Sequence, residues 1–154
     1  MTNIKRFLTT VCLTLAVLLG SAGVSWSEGI AQLKPLSEIL LEESSKTMQI
    51  YAIERCAALF LGNANQLKTR GEGYKAVVDK LENKAVDLTL LSSKLSKEYG
   101  FDRSMEVIQN RIVSILKLYV ERWAHNSAAT GNNLGPLTQS DIETCKSIVQ
   151  AIQK

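Results

Sequence analysis

A single histidine and three cysteines carry the strongest nucleophilic and metal-binding chemistry of this 154-residue chain. His125 follows Glu121 by four residues, so one helix face would present both side chains as two metal ligands. Two ligands are too few for a protein-built site, and the sequence offers no second histidine and no Cys-x-x-Cys pair. We therefore expect a surface ion pair, with no catalytic residue, no metal and no cofactor.

Known catalytic motifs are also missing from the sequence. It has no Gly-x-Ser-x-Gly, no phosphate-binding P-loop and no Gly-x-Gly-x-x-Gly. A cysteine nucleophile would need Cys56 or Cys145 to be free and close to His125. We predict a non-catalytic protein, and the alternative is a small periplasmic enzyme that uses His125.

The first 27 residues are typical of a secretory signal peptide. Lys5 and Arg6 precede the uncharged, largely apolar residues 7–19, and small residues follow as far as Ser27. As a helix these 13 residues would span about 20 Å, less than the ~30 Å of a bilayer core. We expect a periplasmic or secreted protein that is cleaved near Ser27.

Cleavage at that point would leave residues 28–154 as a single domain. The alternative is an uncleaved membrane anchor over residues 7–26, which is long enough to span a bilayer. Loss of Lys5 and Arg6 reduces the 18 basic residues to 16, against 15 acidic ones, which is a net charge of +1. Such a balance excludes a nucleic-acid partner, since no basic block is present. We expect an unidentified protein partner, and membrane contact only through the export signal or the anchor.

The cysteines support export. Cys12 would leave with the signal peptide, so Cys56 and Cys145 would remain as an even pair. Two cysteines in an oxidising compartment usually form a disulfide, and the alternative is two buried free thiols. A bridge would close a loop of about 90 residues and contribute ~4.5 kcal/mol through chain entropy.

Helical periodicity runs through nearly all of the chain after residue 28. Apolar residues recur at steps of three and four over residues 48–60, 74–99 and 105–123, and no stretch alternates with a period of two. Ser140 and Glu143 form a capping box that would start a short last helix. The pattern predicts an all-α four-helix bundle with three long helices and one short C-terminal helix. The alternative is the same bundle with an extra N-terminal turn.

The ends of the first long helix are less clear in the pattern. Gly62 and Asn63 would end it, because glycine and asparagine disfavour a helix interior. Segment 30–45 is apolar in part but also contains Glu-Glu-Ser-Ser, so whether it continues into residues 46–61 stays open.

A long polar loop is expected over residues 125–136, which are rich in Gly and Asn. Its length exceeds the two to eight residues that usually join helices. We therefore place a candidate binding surface there, and the alternative is a plain connector with Trp123 in the core. The surface comprises Trp123, His125, Asn126, Asn132 and Asn133.

Arg55 is the charged residue most closely associated with an apolar face, since it precedes Cys56. A buried guanidinium requires an acidic partner, and Asp141 or Glu121 would supply one as a buried ion pair. The alternative is a side chain that extends its charged end to solvent.

Overall fold

Helices make up the fold in the computed structural model, which describes residues 33–152. In chain order they are α1 (Leu36–Glu42), α2 (Lys46–Lys68), α3 (Lys75–Glu98), α4 (Met105–Thr130) and α5 (Pro136–Ile152), with a short 3₁₀ helix at Glu72–Tyr74. Residues 33–152 contain no strand, and Cys56 is bonded to Cys145. The prediction of an all-α bundle with one disulfide is confirmed. The predicted signal peptide lies outside the described residues.

The centre of the bundle is α2, which contacts each of the other four α-helices. Nine consecutive residues of α2, 52–60, are buried, so this helix is enclosed on all sides rather than along one stripe. Seven of the nine are apolar, as such a position requires. Glu54 and Arg55 are the two charged exceptions, and each has its partners in the surrounding helices.

Short polar side chains and one glycine set the boundaries of the long helices. The Ser45 hydroxyl accepts a hydrogen bond from Met48 N (3.2 Å) at the start of α2, and Ser104 accepts one from Val107 N (3.3 Å) at the start of α4. Gly100 takes a φ of 79° just after α3, in the left-handed region that favours glycine. The short link that follows brings α4 back alongside α3 as a helical hairpin.

The N-terminal segment forms a helix of its own. Residues 43–45 separate α1 from α2, and Glu43 is in an extended conformation. Segment 30–45 therefore does not continue into 46–61 as one helix, because Ser45 caps α2 instead of extending α1. The fold has five α-helices in its described part rather than four. The shortest is α1, with 7 residues, whereas the C-terminal α5 has 17.

The predicted end of the first long helix at Gly62 is wrong, since α2 continues to Lys68. A glycine is disfavoured inside a helix, but here it allows α4 to approach closely. A Cβ atom at position 62 would lie 2.6 Å from Trp123 Cη2 and 2.8 Å from Leu116 Cδ1. Packing against α4 therefore explains the glycine.

The predicted loop over residues 125–136 is also wrong. The helix α4 continues to Thr130, and only residues 131–135 connect it to α5. Gly131 ends α4 with a φ of 71°, and Pro136 suits the first helical position because its φ is already fixed. Polar and small residues before Gly131 thus belong to a helix and not to a loop.

The predicted capping box at Ser140 and Glu143 lies inside α5, which begins at Pro136. Ser140 Oγ is 3.3 Å from Ser37 Oγ of α1, so this hydroxyl joins two helices instead of starting one. Its backbone carbonyl accepts a hydrogen bond from Thr144 Oγ1 (3.0 Å). The capping prediction is wrong because α5 already begins at Pro136, four residues before Ser140.

Candidate functional site

The disulfide joins Cys56 on α2 to Cys145 on α5, with Cα atoms 5.4 Å apart and both residues fully buried. It connects positions 89 residues apart in the sequence. Sulfur in a disulfide is not a thiolate, so neither cysteine is a nucleophile in this state. His125 is exposed on α4, and neither Cys56 nor Cys145 is a free thiol that could pair with it.

Arg55 lies against Asp141 in the interior, with both side chains fully inaccessible to solvent. Its Nη2 donates to Asp141 Oδ2 over 2.5 Å, and its Nε donates to the same oxygen over 3.1 Å. The Tyr119 hydroxyl accepts from Arg55 Nε (2.9 Å) and donates to Asp141 Oδ2. Three helices, α2, α4 and α5, therefore meet at one buried carboxylate. Glu121, the other acid considered for Arg55, is exposed.

Burial and charge set the protonation of this cluster. Burial raises the pKa of Tyr119 above its ordinary value of 10.0, despite the nearby Arg55, so the hydroxyl stays protonated. Burial acts to lower the pKa of Arg55, but Tyr119 and Asp141 outweigh it and raise that pKa. The guanidinium is therefore charged. Because all three side chains are closed to solvent, the cluster holds the fold rather than a substrate.

The same cluster fixes the chain before α1. Arg55 Nη2 donates to the backbone carbonyl of Lys34 over 2.7 Å, and the backbone N–H of Leu36 donates to Asp141 Oδ1 over 2.7 Å. Charge-assisted hydrogen bonds of this kind are stronger than neutral ones. The start of α1 is thus attached to α2 and α5 by buried polar contacts.

Glu54, next to Arg55 in sequence, is the centre of a second ionic cluster. It is fully buried, and its Oε1 accepts a hydrogen bond from Ser92 Oγ of α3 (2.9 Å). Arg111 Nε of α4 lies 3.0 Å from Glu54 Oε2, and Arg103 Nη1 lies 3.6 Å from Oε1. Arg111 keeps 37% of its side chain exposed, so this cluster reaches the surface.

The sequence reasoning missed Glu54, although a signal for it exists. Glu54 and Arg55 interrupt the otherwise apolar or aromatic run 50–61. A helix with apolar residues on every side is buried on every side, and each charge in it then needs a partner. An enclosed helix therefore predicts a partner for Glu54 as well as for Arg55. No local pattern in the sequence indicates that the partners of Glu54 lie on α3 and α4.

An apolar depression of about 680 Å³, which we call the α3–α4 groove, lies on the surface between those helices. Val86 and Leu90 of α3 are each 56% exposed along it, and Val113 of α4 is 45% exposed. Glu82 is the one charged side chain among the described residues that line the groove, and it is paired with Lys68. The groove therefore presents an essentially uncharged apolar surface.

A second depression of about 400 Å³, which we call the amide cleft, lies between α2 and the C-terminal half of α4. Its apolar lining includes Leu116, Val120 and Trp123. Its polar side chains are Asn65 and Gln66 of α2, Thr69 just after α2, Ser127 of α4, and Asn133 of the link to α5. Among the described residues, no charged side chain lines this cleft.

Two residues of the candidate surface at the end of α4 line the amide cleft, Trp123 and Asn133. Trp123 is only 3% exposed, and its indole Nε1 donates to Thr138 Oγ1 over 3.0 Å. Its ring also stacks on Tyr119, with ring centroids 5.7 Å apart. Trp123 is therefore a core residue whose edge contributes to the cleft.

The other three residues of that candidate surface do not line the cleft. His125 is exposed on α4. Asn126 packs so closely on Gly135 that a Cβ atom there would lie 2.3 Å from Asn126 Nδ2. Asn132 Oδ1 accepts a hydrogen bond from Leu134 N (2.9 Å), which shapes the link to α5.

Metal-binding and membrane-spanning features are both missing from the part of the chain that the structure describes. Within residues 33–152 no three His, Cys, Asp or Glu side chains come together to hold a metal ion. Glu121 and His125 are both exposed on α4. None of the described helices combines the length and the apolar character needed to cross a bilayer.

No protein-family model, curated protein or solved structure matches this chain. Its function must therefore be inferred from the side chains that the fold brings together.

Proposed function

We propose that this protein is exported and acts as a non-catalytic accessory protein that binds a partner protein through the α3–α4 groove. The exposed apolar surface at this groove carries the proposal. Nine large apolar side chains of the described chain are exposed, and three of them, Val86, Leu90 and Val113, line this groove. Contiguous exposed apolar surface is typical of a site that another molecule covers.

The shape of the groove favours an amphipathic helix as the part of the partner that docks. Val86 and Leu90 are four residues apart on one wall, and Gln109 and Val113 are four apart on the other. Both walls are helices whose main-chain groups are bonded internally, so an added strand would find no free edge. A helix that packs its side chains between α3 and α4 needs no such edge.

The lack of free charge in the groove restricts which side chains the docking face of the partner helix can have. Because Lys68 already neutralises Glu82, the groove offers no free charge to a docked side chain. A charged residue on the docking face would lose its hydration without gaining a partner. The partner helix is therefore one with an uncharged, apolar docking face.

Export is supported by the tripartite N-terminal sequence and by the buried disulfide, which is typical of proteins in oxidising compartments. The test is mass spectrometry of the protein isolated from the periplasm or medium. We expect a new N-terminus close to residue 28. An intact Met1 in a membrane fraction would instead establish the N-terminally anchored alternative over residues 7–26.

The docking proposal is tested by site-specific photocrosslinking in the producing cells. A crosslinking amino acid at Leu90 reports on the groove, and the same amino acid at Val77 is the control, because Val77 is exposed on α3 but does not line the groove. We expect crosslinks from position 90, and not from 77, to an apolar helix face of another protein. Equal yields at both positions, or crosslinks only between two copies of this chain, would refute the proposed partner.

A catalytic role is the competing class, and His125 is the residue on which it depends. The His125→Ala variant should retain the position-90 crosslinks and every other measurable property of the protein. A turnover that disappears in this variant, with the fold intact by circular dichroism, would overturn the non-catalytic assignment.

A further inference from the structure

The amide cleft has the chemistry of a small-molecule site, and we infer that it binds a neutral saccharide of one or two rings. This site is separate from the α3–α4 groove. The cleft uses residues of α4 from position 116 onward, whereas the groove uses residues 105–113. The cleft and the groove share no lining residue, so an experiment that refutes binding at one of them does not refute binding at the other.

Four polar side chains of the cleft have hydrogen-bonding capacity that the protein itself does not use. Within residues 33–152 the side chains of Asn65, Gln66, Ser127 and Asn133 make no hydrogen bond, although all four line the cleft. Each primary amide offers donors and acceptors, and a serine hydroxyl offers both. Sugar hydroxyls are donors and acceptors as well, so they match these groups in both directions.

The cleft combines polar and apolar side chains in a way that suits a sugar ring. Asn65 and Gln66 lie on the α2 side of the cleft, and Ser127 and Asn133 lie on the other side. Apolar side chains line the cleft as well, and Val120 among them is 50% exposed. A sugar ring has the same arrangement, since its C–H face is apolar and its hydroxyls project from the perimeter.

Trp123, which lines the cleft, is held in place before any ligand binds. Trp123 is fixed by its hydrogen bond to Thr138 and by its packing on Gly62, where no Cβ atom stands in the way. A preformed site loses less conformational entropy on binding than one that must be ordered. The cleft volume of about 400 Å³ also falls within the range of small-molecule sites, ~300–1,000 Å³.

Charge and main-chain geometry distinguish a saccharide from other ligands. No charged side chain among the described residues lines the cleft, so phosphates, carboxylates and the charged ends of peptides find no counter-ion there. Its long walls are helices, so an extended peptide finds no strand edge with which to pair. A neutral, hydroxyl-rich ligand needs neither feature.

Tryptophan fluorescence provides the test. The chain has two tryptophans, Trp26 and Trp123. Cleavage near Ser27 removes Trp26, and in an uncleaved protein the Trp26→Phe variant likewise leaves Trp123 as the single tryptophan. This protein, purified as the cells produce it, is titrated with glucose, N-acetylglucosamine, maltose and chitobiose. We expect at least one of these saccharides to produce a saturable change in emission.

Matched variants show whether such binding occurs in the cleft. Gln66→Ala and Asn133→Ala should each weaken binding about two- to tenfold, the effect of removing one hydrogen bond. Gln150→Ala removes an exposed amide on α5 outside the cleft and should leave the affinity unchanged. The inference fails if none of the four saccharides saturates, if all three variants behave alike, or if N-acetyl-trialanine amide binds and no saccharide does.

Discussion

Arg55 and Asp141 lie 86 residues apart in the sequence and form an ion pair whose two side chains are both fully buried. Taking two charges out of water costs several kcal/mol for each ion, and only close, multiple hydrogen bonds offset that cost. Here Tyr119 and the backbone of residues 34–36 supply those additional bonds. Removing one partner alone should therefore lower the stability strongly, because the other charge stays buried without its counter-ion.

The Asp141→Asn variant should lower the free energy of unfolding by about 3–5 kcal/mol, because it leaves Arg55 buried without a counter-ion. Asparagine has nearly the same size, so a cavity does not explain the loss. Urea denaturation measures the change. Glu121→Gln, at an exposed acid on α4, is the control and should alter stability by less than about 0.5 kcal/mol. Similar losses in the two variants would contradict the buried pair.

Tyr119 should make the stability of the fold decrease in alkaline solution. Its pKa is raised in the folded state, so above about pH 10 only the unfolded chain releases this proton. The contribution of Tyr119 to the free energy of unfolding is therefore complete below pH 10.0 and is lost as the pH rises beyond it. At about pH 11 the free energy of unfolding should have decreased by about 1.4 kcal/mol.

The Tyr119→Phe variant isolates that contribution. Its free energy of unfolding, measured between about pH 9 and about pH 11, should lack this part of the decline, whatever its absolute stability. Tyr74→Phe, at a tyrosine that is 40% exposed, is the control and should follow the unaltered protein. Parallel pH profiles for Tyr119→Phe and the unaltered protein would exclude a role for this hydroxyl.

The disulfide can be tested by peptide mapping. Trypsin cleaves after Arg55, Lys68, Arg122 and Lys146. Without reductant it should therefore release residues 56–68 linked to residues 123–146. Reduction should separate them and lower the free energy of unfolding by about 2–5 kcal/mol. Recovery of both peptides with free thiols from an oxidising compartment would argue against the bridge.

Gly62→Ala tests the close approach of α2 and α4. The added methyl would lie 2.6 Å from Trp123 Cη2, so we expect overpacking to outweigh the improved helix propensity by about 1–2 kcal/mol. Tryptophan emission should shift as the ring is displaced. Gly73→Ala is the control, because no neighbouring atom lies within 4 Å of its Cβ position. An unshifted emission spectrum and unchanged stability for Gly62→Ala would rule out the tight contact.

The helical fold and the disulfide could be predicted from the sequence because the first depends on local periodicity and the second on the number of cysteines. Periodicity at three and four residues reports directly on buried helix faces, and two cysteines in a mature chain leave one pairing. Gly62 was misread because its role depends on Trp123, which is distant in sequence. Ser140 was misread as a helix start because Pro136, four residues earlier, already occupies the first position of α5.

The surface features were the least predictable from sequence. The pattern pointed to Trp123 at the end of a helix and to Asn133 in a loop. It made that loop too long, because residues 125–130 of α4 contain no strongly apolar stripe. Asn65 and Gln66 gave no sequence signal, since exposed amides on a helix are ordinary. They become informative only when the fold places them opposite Asn133 around one cleft.

The enclosure of α2 has a consequence for hydrogen exchange. Amide protons of residues 52–60 are covered on every side by other helices, so no fraying of a single surface helix exposes them all to solvent. Their exchange with deuterium must await an opening that separates several helices at once, and its free energy then approaches that of global unfolding. Apart from that of Leu36, which is bonded to the buried Asp141, the amide protons of α1, a helix of 7 residues, need only a smaller opening and exchange sooner.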